Sequence, residues 1–115
     1  MAKQELTVIL HTHDLRVWTL EHVARFPRAH RHELGRRLLD KMDDLMDRLL
    51  EAKFTSNKVD ILRQASLRVE ELRWSYRAAT DLRVLSLKSQ GFAIKRLDEI
   101  ARQLGGWRQN VQRRS

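Results

Sequence analysis

Apolar side chains recur every three or four residues along most of the chain, which is the spacing of one face of an α-helix. In the first 26 residues this stripe consists of Leu6, Leu10, His13, Val17, Leu20 and Ala24. The pattern stops at Phe26–Pro27, because proline disfavours a helical residue before it and has no amide hydrogen to donate. We therefore predict a first helix over residues 3–26, with this stripe as its packing face.

Three further stripes predict three further helices. The second helix, residues 30–53, carries Leu34, Leu38, Met42, Leu45, Leu49 and Ala52. After a break in which Ser56 or Asn57 can cap the next helix, the third, residues 58–87, carries Leu62, Ala65, Val69, Leu72, Tyr76 and Ala79. The fourth, residues 91–111 after a break at Ser89–Gly91, carries Ile94, Leu97, Ile100 or Ala101, Leu104, Trp107 and Val111. We expect residues 112–115 to form a basic tail.

Four helices with short connections predict an all-α fold, an up-down-up-down four-helix bundle that occupies residues 1–115 as one domain. The third helix has a second apolar stripe on nearly the opposite side: Leu67, Trp74, Ala78 and Leu85. A helix in a lone bundle needs one apolar face. The second stripe therefore indicates either burial by another subunit or an unusually apolar surface. We favour a homo-oligomer with Leu67, Trp74 and Leu85 at its interface.

The residues that carry enzyme chemistry are sparse. The chain has no cysteine, which excludes disulfides, thiol catalysis and thiolate metal sites. His11 and His13, like His30 and His32, are two residues apart, and such positions point to different sides of a helix. His13 lies in the apolar stripe, which favours a hydrogen-bonded core or interface histidine over a metal ligand. We expect no metal, no cofactor and no catalysis, since no nucleophile motif or phosphate-binding glycine loop is present.

An acidic stripe is the alternative candidate for chemistry. It consists of Asp40, Asp43, Asp44 and Asp47 on one face of the second helix. A divalent-cation site or a docking strip for a basic neighbour is one interpretation. A solvated face paired with Arg36 and Arg48 at helical spacing is the one we favour. No apolar run is long enough for a membrane span, and the N-terminus does not resemble a signal peptide, so we expect a cytoplasmic protein.

The charge balance indicates an anionic partner. Among 115 residues, 23 Lys and Arg face 15 Asp and Glu, which gives a formal net charge of +8. Phosphate backbones attract such chains. On the predicted third helix and the residue directly after it, Arg73, Arg77 and Lys88 share a sector away from the main stripe, and Trp74 lies alongside. With Arg28 and Arg31 after Pro27, they are the predicted phosphate contacts to RNA or DNA, and we assign Trp74 to the interface rather than to base stacking.

Several short motifs resemble a known family. They are Phe26-Pro27-Arg28, Arg31, Leu34-Gly35, Glu51-Ala52, Ser56-Asn57-Lys58, Leu85 and Leu104-Gly105-Gly106-Trp107. Together they are similar to a family of small bacterial four-helix-bundle proteins. Its members include proteins encoded in ribosomal RNA intervening sequences and the accessory variability determinant (Avd) proteins of diversity-generating retroelements. The Phe-Pro-Arg and Ser-Asn-Lys turns and the basic balance most resemble the Avd members.

The resemblance implies a ring-like pentamer with a positively charged surface and no catalytic activity. It also implies partners: the reverse transcriptase of the retroelement and its template RNA, for mutagenic cDNA synthesis and retrohoming. The alternative is a protein of the intervening-sequence type, a structural adaptor for other proteins without nucleic-acid binding. The histidines near Pro27 and the acidic stripe depart from the family pattern, so no partner contact is carried over to them.

Overall fold

Four long helices form across residues 2–114, the part of the chain that the computed structural model describes. They are α1 (Ala2–Val23), α2 (Arg36–Phe54), α3 (Lys58–Asp81) and α4 (Leu87–Arg114). A short lead-in precedes α2, consisting of an α-helical turn at Arg28–His30 and a π-helical turn at Arg31–Gly35. No strand occurs in the described range, so the all-α fold class is confirmed.

The helices pack side by side, with each one in contact with two neighbours. α1 and α3 each lie against α2 and α4, so α1 and α3 occupy diagonal positions. Contacts between side chains fix the antiparallel directions. His11 in α1 meets Gln103 in α4, and Gln4 meets Asn110. The result is an elongated bundle of 47 × 23 × 19 Å.

The predicted core stripes of α2, α3 and α4 are confirmed. All six α3 positions are buried, and on α2 the five from Leu38 to Ala52 are buried, with Leu34 packed against them. On α4, Leu97, Ile100, Leu104 and Trp107 are buried, while Ile94, Ala101 and Val111 pack against the core. Regular apolar spacing was sufficient to identify these faces.

The predicted packing face of α1 is wrong. The helix buries Val8, Thr12, Leu15, Thr19 and Val23, while Leu6, Leu10, His13, Val17 and Leu20 are exposed. The inward face holds two threonines, so it is less hydrophobic in sequence than the outward face. Each threonine hydroxyl donates to a carbonyl four residues earlier, at 2.8 Å from Thr12 and 2.7 Å from Thr19. These bonds satisfy the polar group and allow its burial.

The predicted boundary between the third and fourth helices is also wrong. α3 ends at Asp81 and not at residue 87, because the next residues form a Schellman motif. Arg83 adopts a left-handed conformation with φ 63°. Its amide donates to Thr80 O at 2.9 Å, and the Val84 amide donates to Ala79 O at 3.0 Å. α4 then begins at Leu87 and not at residue 91, with Ser86 Oγ accepting from the Ser89 amide at 3.0 Å.

The connection between α1 and α2 is short and closely packed. Phe26 is buried, and Pro27 directly precedes the lead-in. Gly35 lies so close to α1 that a Cβ there would be 2.6 Å from Val23 Cγ1. This connection therefore fixes the direction in which the lead-in presents its side chains. None of the described helices combines the length and apolarity that a membrane span requires.

Candidate nucleic-acid interface

The five predicted phosphate contacts lie in two separate places. Arg73 and Arg77 are on α3, whereas Arg28 and Arg31 belong to the lead-in before α2, and Lys88 lies in the first turn of α4. The prediction that Lys88 shares a helix face with Arg73 and Arg77 is wrong, since α3 ends at Asp81. The two places differ in how many of their basic side chains already form ion pairs with carboxylates of the same protein.

Arg73 is held between two carboxylates. Its Nε lies 2.9 Å from Glu70 Oε2 and its Nη1 2.5 Å from Asp98 Oδ1, which joins α3 to α4. Only 25% of its side chain is exposed. Burial acts to lower the pKa of Arg73, but the hydrogen bonds to Asp98 and Glu70 outweigh it and the pKa is raised. The Arg73 guanidinium therefore links α3 to α4, and a phosphate would have to compete with its two carboxylate partners.

Arg77 and Trp74 form an exposed pair on the outer side of α3. The guanidinium carbon of Arg77 lies 5.9 Å from the centre of the Trp74 ring, within the range of a cation–π contact. Its ion pair with Asp81 is long, at 3.9 Å. Trp74 is 68% exposed and stands between two shallow grooves. One reaches Gln90 and Ile94 on α4, and the other reaches Arg37 and Lys41 on α2.

The end of the bundle that carries the α1–α2 and α3–α4 connections has the larger unpaired charge. We call this group the arginine end: Arg25, Arg28, Arg31, Arg36, Arg37, Arg83 and Lys88. All seven are exposed, and none forms an ion pair among the described residues. Between residues 25 and 37, five arginines face one acid, Glu33. Guanidinium groups bind phosphate with two parallel hydrogen bonds, so this end can bind a phosphate backbone.

The close packing of the α1–α2 connection fixes the position of the arginine end. Buried Phe26 and the close contact at Gly35 hold the connection against α1. Arg31 Nη2 donates to Phe26 O at 3.4 Å, a long hydrogen bond that leaves most of the guanidinium accessible. His32 is exposed and His30 half-buried in the same segment.

Four members of the arginine end were not among the predicted contacts: Arg25, Arg36, Arg37 and Arg83. The density of arginines around Pro27 was a signal for the first three. Arg83 had no such signal, because its position depends on where α3 ends.

Two of the three predicted interface residues are exposed. Leu67 and Trp74 lie on the outer side of α3, opposite its buried stripe. Leu85 is a correction: it is 6% exposed and belongs to the core of the protomer. It lies beyond the end of α3, so the helical spacing that placed it on the outer stripe does not apply.

The acidic stripe of α2 divides into two parts. Asp43 pairs with Arg16 of α1 at 2.5 Å, and Asp44 pairs with Arg48 and with Arg68 of α3. The hydrogen bond to Asp44 is the main cause that raises the pKa of Arg68. Asp40 and Asp47 are exposed and form no ion pair in the described range. No group of three histidine or acidic side chains within residues 2–114 has the arrangement of a metal site.

Comparison with known protein families identifies the family of this chain. The model of the bAvd-like family matches residues 6–111. The chain belongs to the bAvd-like family. The match confirms the resemblance to Avd proteins and extends over all four helices of the bundle. Searches of curated proteins and of solved structures gave no match.

Proposed function

We propose that this bAvd-like protein is a non-catalytic accessory subunit of a diversity-generating retroelement. It assembles as a ring-like homo-oligomer, a pentamer by resemblance, in the cytoplasm. It binds the reverse transcriptase of the element and its template RNA, and so supports mutagenic cDNA synthesis and retrohoming. The family match supports the class of protein. The unpaired arginine end is the observation that carries the RNA-binding part of the proposal.

Within the protein, the arginine end is a better candidate than α3 for the RNA contact. Arg73 would have to give up two carboxylate partners before it could bind phosphate. The arginine end has no such competition, and its side chains come from two turns that close the same end of the bundle. We therefore assign Arg28, Arg31 and Lys88 to phosphate binding, and Arg73 to the contact between α3 and α4. Arg77 remains a candidate beside Trp74.

The test compares two triple variants of equal net charge. Arg25→Gln/Arg28→Gln/Lys88→Gln removes three charges from the arginine end. Lys95→Gln/Arg102→Gln/Arg113→Gln removes three exposed charges from α4, none of which forms an ion pair in the described range. We expect the first variant to bind a structured RNA roughly tenfold or more weakly, and its salt dependence to lose about one phosphate contact per removed charge. The α4 variant keeps most of its affinity.

Binding is measured by fluorescence anisotropy at several salt concentrations. Equal losses in the two variants would mean that net charge alone attracts RNA, which contradicts a site at the arginine end. An oligomer with no affinity for RNA would instead support the structural adaptor. Copurification with the reverse transcriptase of the proposed element tests the polymerase partner separately from RNA, because both triple variants should keep that contact.

A further inference from the structure

A cleft of about 490 Å³ opens between the end of α1 and the start of α2. Its apolar lining includes Leu20 and Val23 from α1 and Leu39 from α2. Val23 belongs to the core, whereas Leu20 is exposed and Leu39 is half-buried. We call this cavity the α1–α2 cleft. It offers an apolar surface to a ligand that enters from solvent.

Basic side chains line the end of the cleft that adjoins the connection between α1 and α2. Arg31 and His32 come from the π-helical turn, and Arg36 comes from the first turn of α2. All three are exposed, and neither arginine forms an ion pair among the described residues. π-Helical turns occur frequently at functional sites. Since guanidinium groups bind phosphate with paired hydrogen bonds, this end of the cleft can hold a phosphate.

The other end of the cleft is acidic. Asp40 and Asp43 line it one and two turns further along α2 than Arg36. Asp43 already pairs with Arg16 of α1. Asp40 is exposed and has neither an ion pair nor a side-chain hydrogen bond within residues 2–114, although Arg36 begins only about 6 Å away along the helix axis. The Asp40 carboxylate is therefore available to accept hydrogen bonds from a ligand.

This order of basic, apolar and acidic groups matches the order of groups in a nucleotide. A nucleotide has a phosphate at one end, a flat base, and hydrogen-bonding groups on the far edge of that base. Proteins that read single-stranded RNA take up unstacked bases and form hydrogen bonds with their Watson–Crick edges. An ionised carboxylate only accepts hydrogen bonds. Guanine alone among the four RNA bases presents two adjacent donors on that edge, N1–H and the N2 amino group, so it is the base that one carboxylate binds best.

We propose that the α1–α2 cleft binds one unpaired guanine nucleotide of an RNA chain. The base packs against Leu20 and Leu39, and its N1–H and N2 amino group donate to the carboxylate of Asp40. The phosphate of the same nucleotide contacts Arg31 and Arg36. The inference rests on RNA binding in the proposed function and adds base selectivity to it, because contacts to phosphate carry no sequence information.

The predicted oligomer interface leaves the cleft accessible. Leu67 and Trp74 lie on the outer side of α3, which is diagonal to α1 in the bundle. The two grooves beside Trp74 share no lining residue with the cleft. Arg31 and Arg36 belong to the arginine end as well as to the cleft, so an RNA chain bound at the arginine end passes the opening of the cleft.

Short single-stranded RNAs test the proposal with the wild-type protein. A labelled oligouridine with one central guanosine is compared, by fluorescence anisotropy, with chains that carry adenosine, cytidine or uridine at that position. We expect the guanosine chain to bind about tenfold more tightly than the others. Inosine lacks the N2 amino group and should lose most of this preference. 7-Deazaguanosine should keep it, because N7 lies away from the Watson–Crick edge.

Two variants of equal charge locate the preference. Asp40→Asn removes the carboxylate in the cleft, and Asp47→Asn removes another exposed and unpaired carboxylate of α2 that does not line the cleft. Each removes one negative charge, so each should bind every chain slightly more tightly. Only Asp40→Asn should lose the preference for guanosine. Arg36→Gln should instead weaken binding to all four chains by a similar factor and keep the preference.

The outcomes separate this inference from the proposed function. Equal affinity for the four chains, or a guanosine preference that Asp40→Asn keeps, overturns the guanine site and leaves the proposed RNA binding intact. The residues changed to test that binding, Arg25, Arg28 and Lys88, do not line the cleft. A protein that binds none of the RNAs overturns both. Guanosine 5′-monophosphate that displaces the labelled chain as well as unlabelled guanosine RNA does would assign the cleft to a free nucleotide and overturn the RNA source.

Discussion

Tyr76 has the most strongly perturbed ionisable side chain in the described structure. Its hydroxyl lies 2.6 Å from Thr19 Oγ1, whose own hydrogen is donated to Leu15 O, and 3.7 Å from Met42 Sδ. Burial raises the pKa of Tyr76 far above its ordinary value, although the hydrogen bond with Thr19 acts in the opposite direction. The phenol therefore stays protonated. Its contacts with Thr19 of α1 and Met42 of α2 join these two helices to α3 in the core.

This shift predicts a loss of stability in alkali. The unfolded chain ionises its tyrosine near pH 10, whereas the folded protein keeps the proton to higher pH. Above about pH 10 the unfolded state therefore binds fewer protons, and the free energy of unfolding falls by at most about 1.4 kcal/mol per pH unit from this group. Tyr76 is the only tyrosine, so tyrosinate absorbance near 295 nm (a standard ultraviolet readout) should rise only as the protein unfolds.

The control is Tyr76→Phe, which has no group to titrate. Its free energy of unfolding at neutral pH should fall by about 1 kcal/mol because Thr19 loses a hydrogen-bond partner. Between pH 9 and 11 it should decline less steeply than the wild type, as measured by urea denaturation at each pH. Reversible tyrosinate formation in the folded protein near pH 10 would show that the hydroxyl is not buried as described.

At the scale of the helices, two glycines give a matched prediction. A Cβ at Gly35 would lie 2.6 Å from Val23 Cγ1, a branched side chain in the core, whereas a Cβ at Gly91 would meet nothing within 4 Å. Gly35→Ala should destabilise the protein by about 1–3 kcal/mol through overpacking. Gly91→Ala should stabilise α4 by up to about 1 kcal/mol. Urea denaturation of the two variants should show opposite signs, and equal effects would exclude the close contact at Gly35.

The helices also show what the sequence could predict. α2, α3 and α4 carry apolar residues at regular helical spacing, and their core faces were predicted correctly. α1 was predicted with its faces reversed, because Thr12 and Thr19 occupy core positions and four large apolar residues occupy the surface. The end of α3 was missed because Arg83, not glycine, occupies the left-handed position. Such local conformations depend on contacts that apolar spacing does not encode.

The candidate site was predicted only in part, for a related reason. The sequence shows that Arg73 and Arg28 are both basic, but not which of them has a partner. Asp98 is 25 residues from Arg73 in the chain and 2.5 Å from it in the bundle. The cationic groups available for the proposed RNA contact are those without such tertiary partners. Which cationic groups these are depends on how the helices pack together, and not on the order of residues along the chain.

At the scale of the whole molecule, the proposed assembly and the proposed RNA binding would be geometrically linked. In a ring with cyclic symmetry, equivalent points of all copies lie on one circle, so every arginine end faces the same rim. One protomer offers the seven cationic side chains of its arginine end. If all seven bound phosphates of single-stranded RNA, the logarithm of the affinity would fall with the logarithm of salt concentration with a slope of about 5 at most.

We therefore predict a steeper salt dependence for the assembly than for a single protomer. The wild-type oligomer should have a slope above about 5, because a long RNA crosses several arginine ends on the rim. Trp74→Ala truncates a predicted interface residue and should dissociate the ring into protomers. Its slope should then be about 5 or less, although its arginine end is unchanged. Anisotropy with a long and a short RNA, at matched protomer concentration, measures both slopes. Equal slopes for oligomer and protomer would mean that each arginine end binds RNA alone and that the ring serves another purpose.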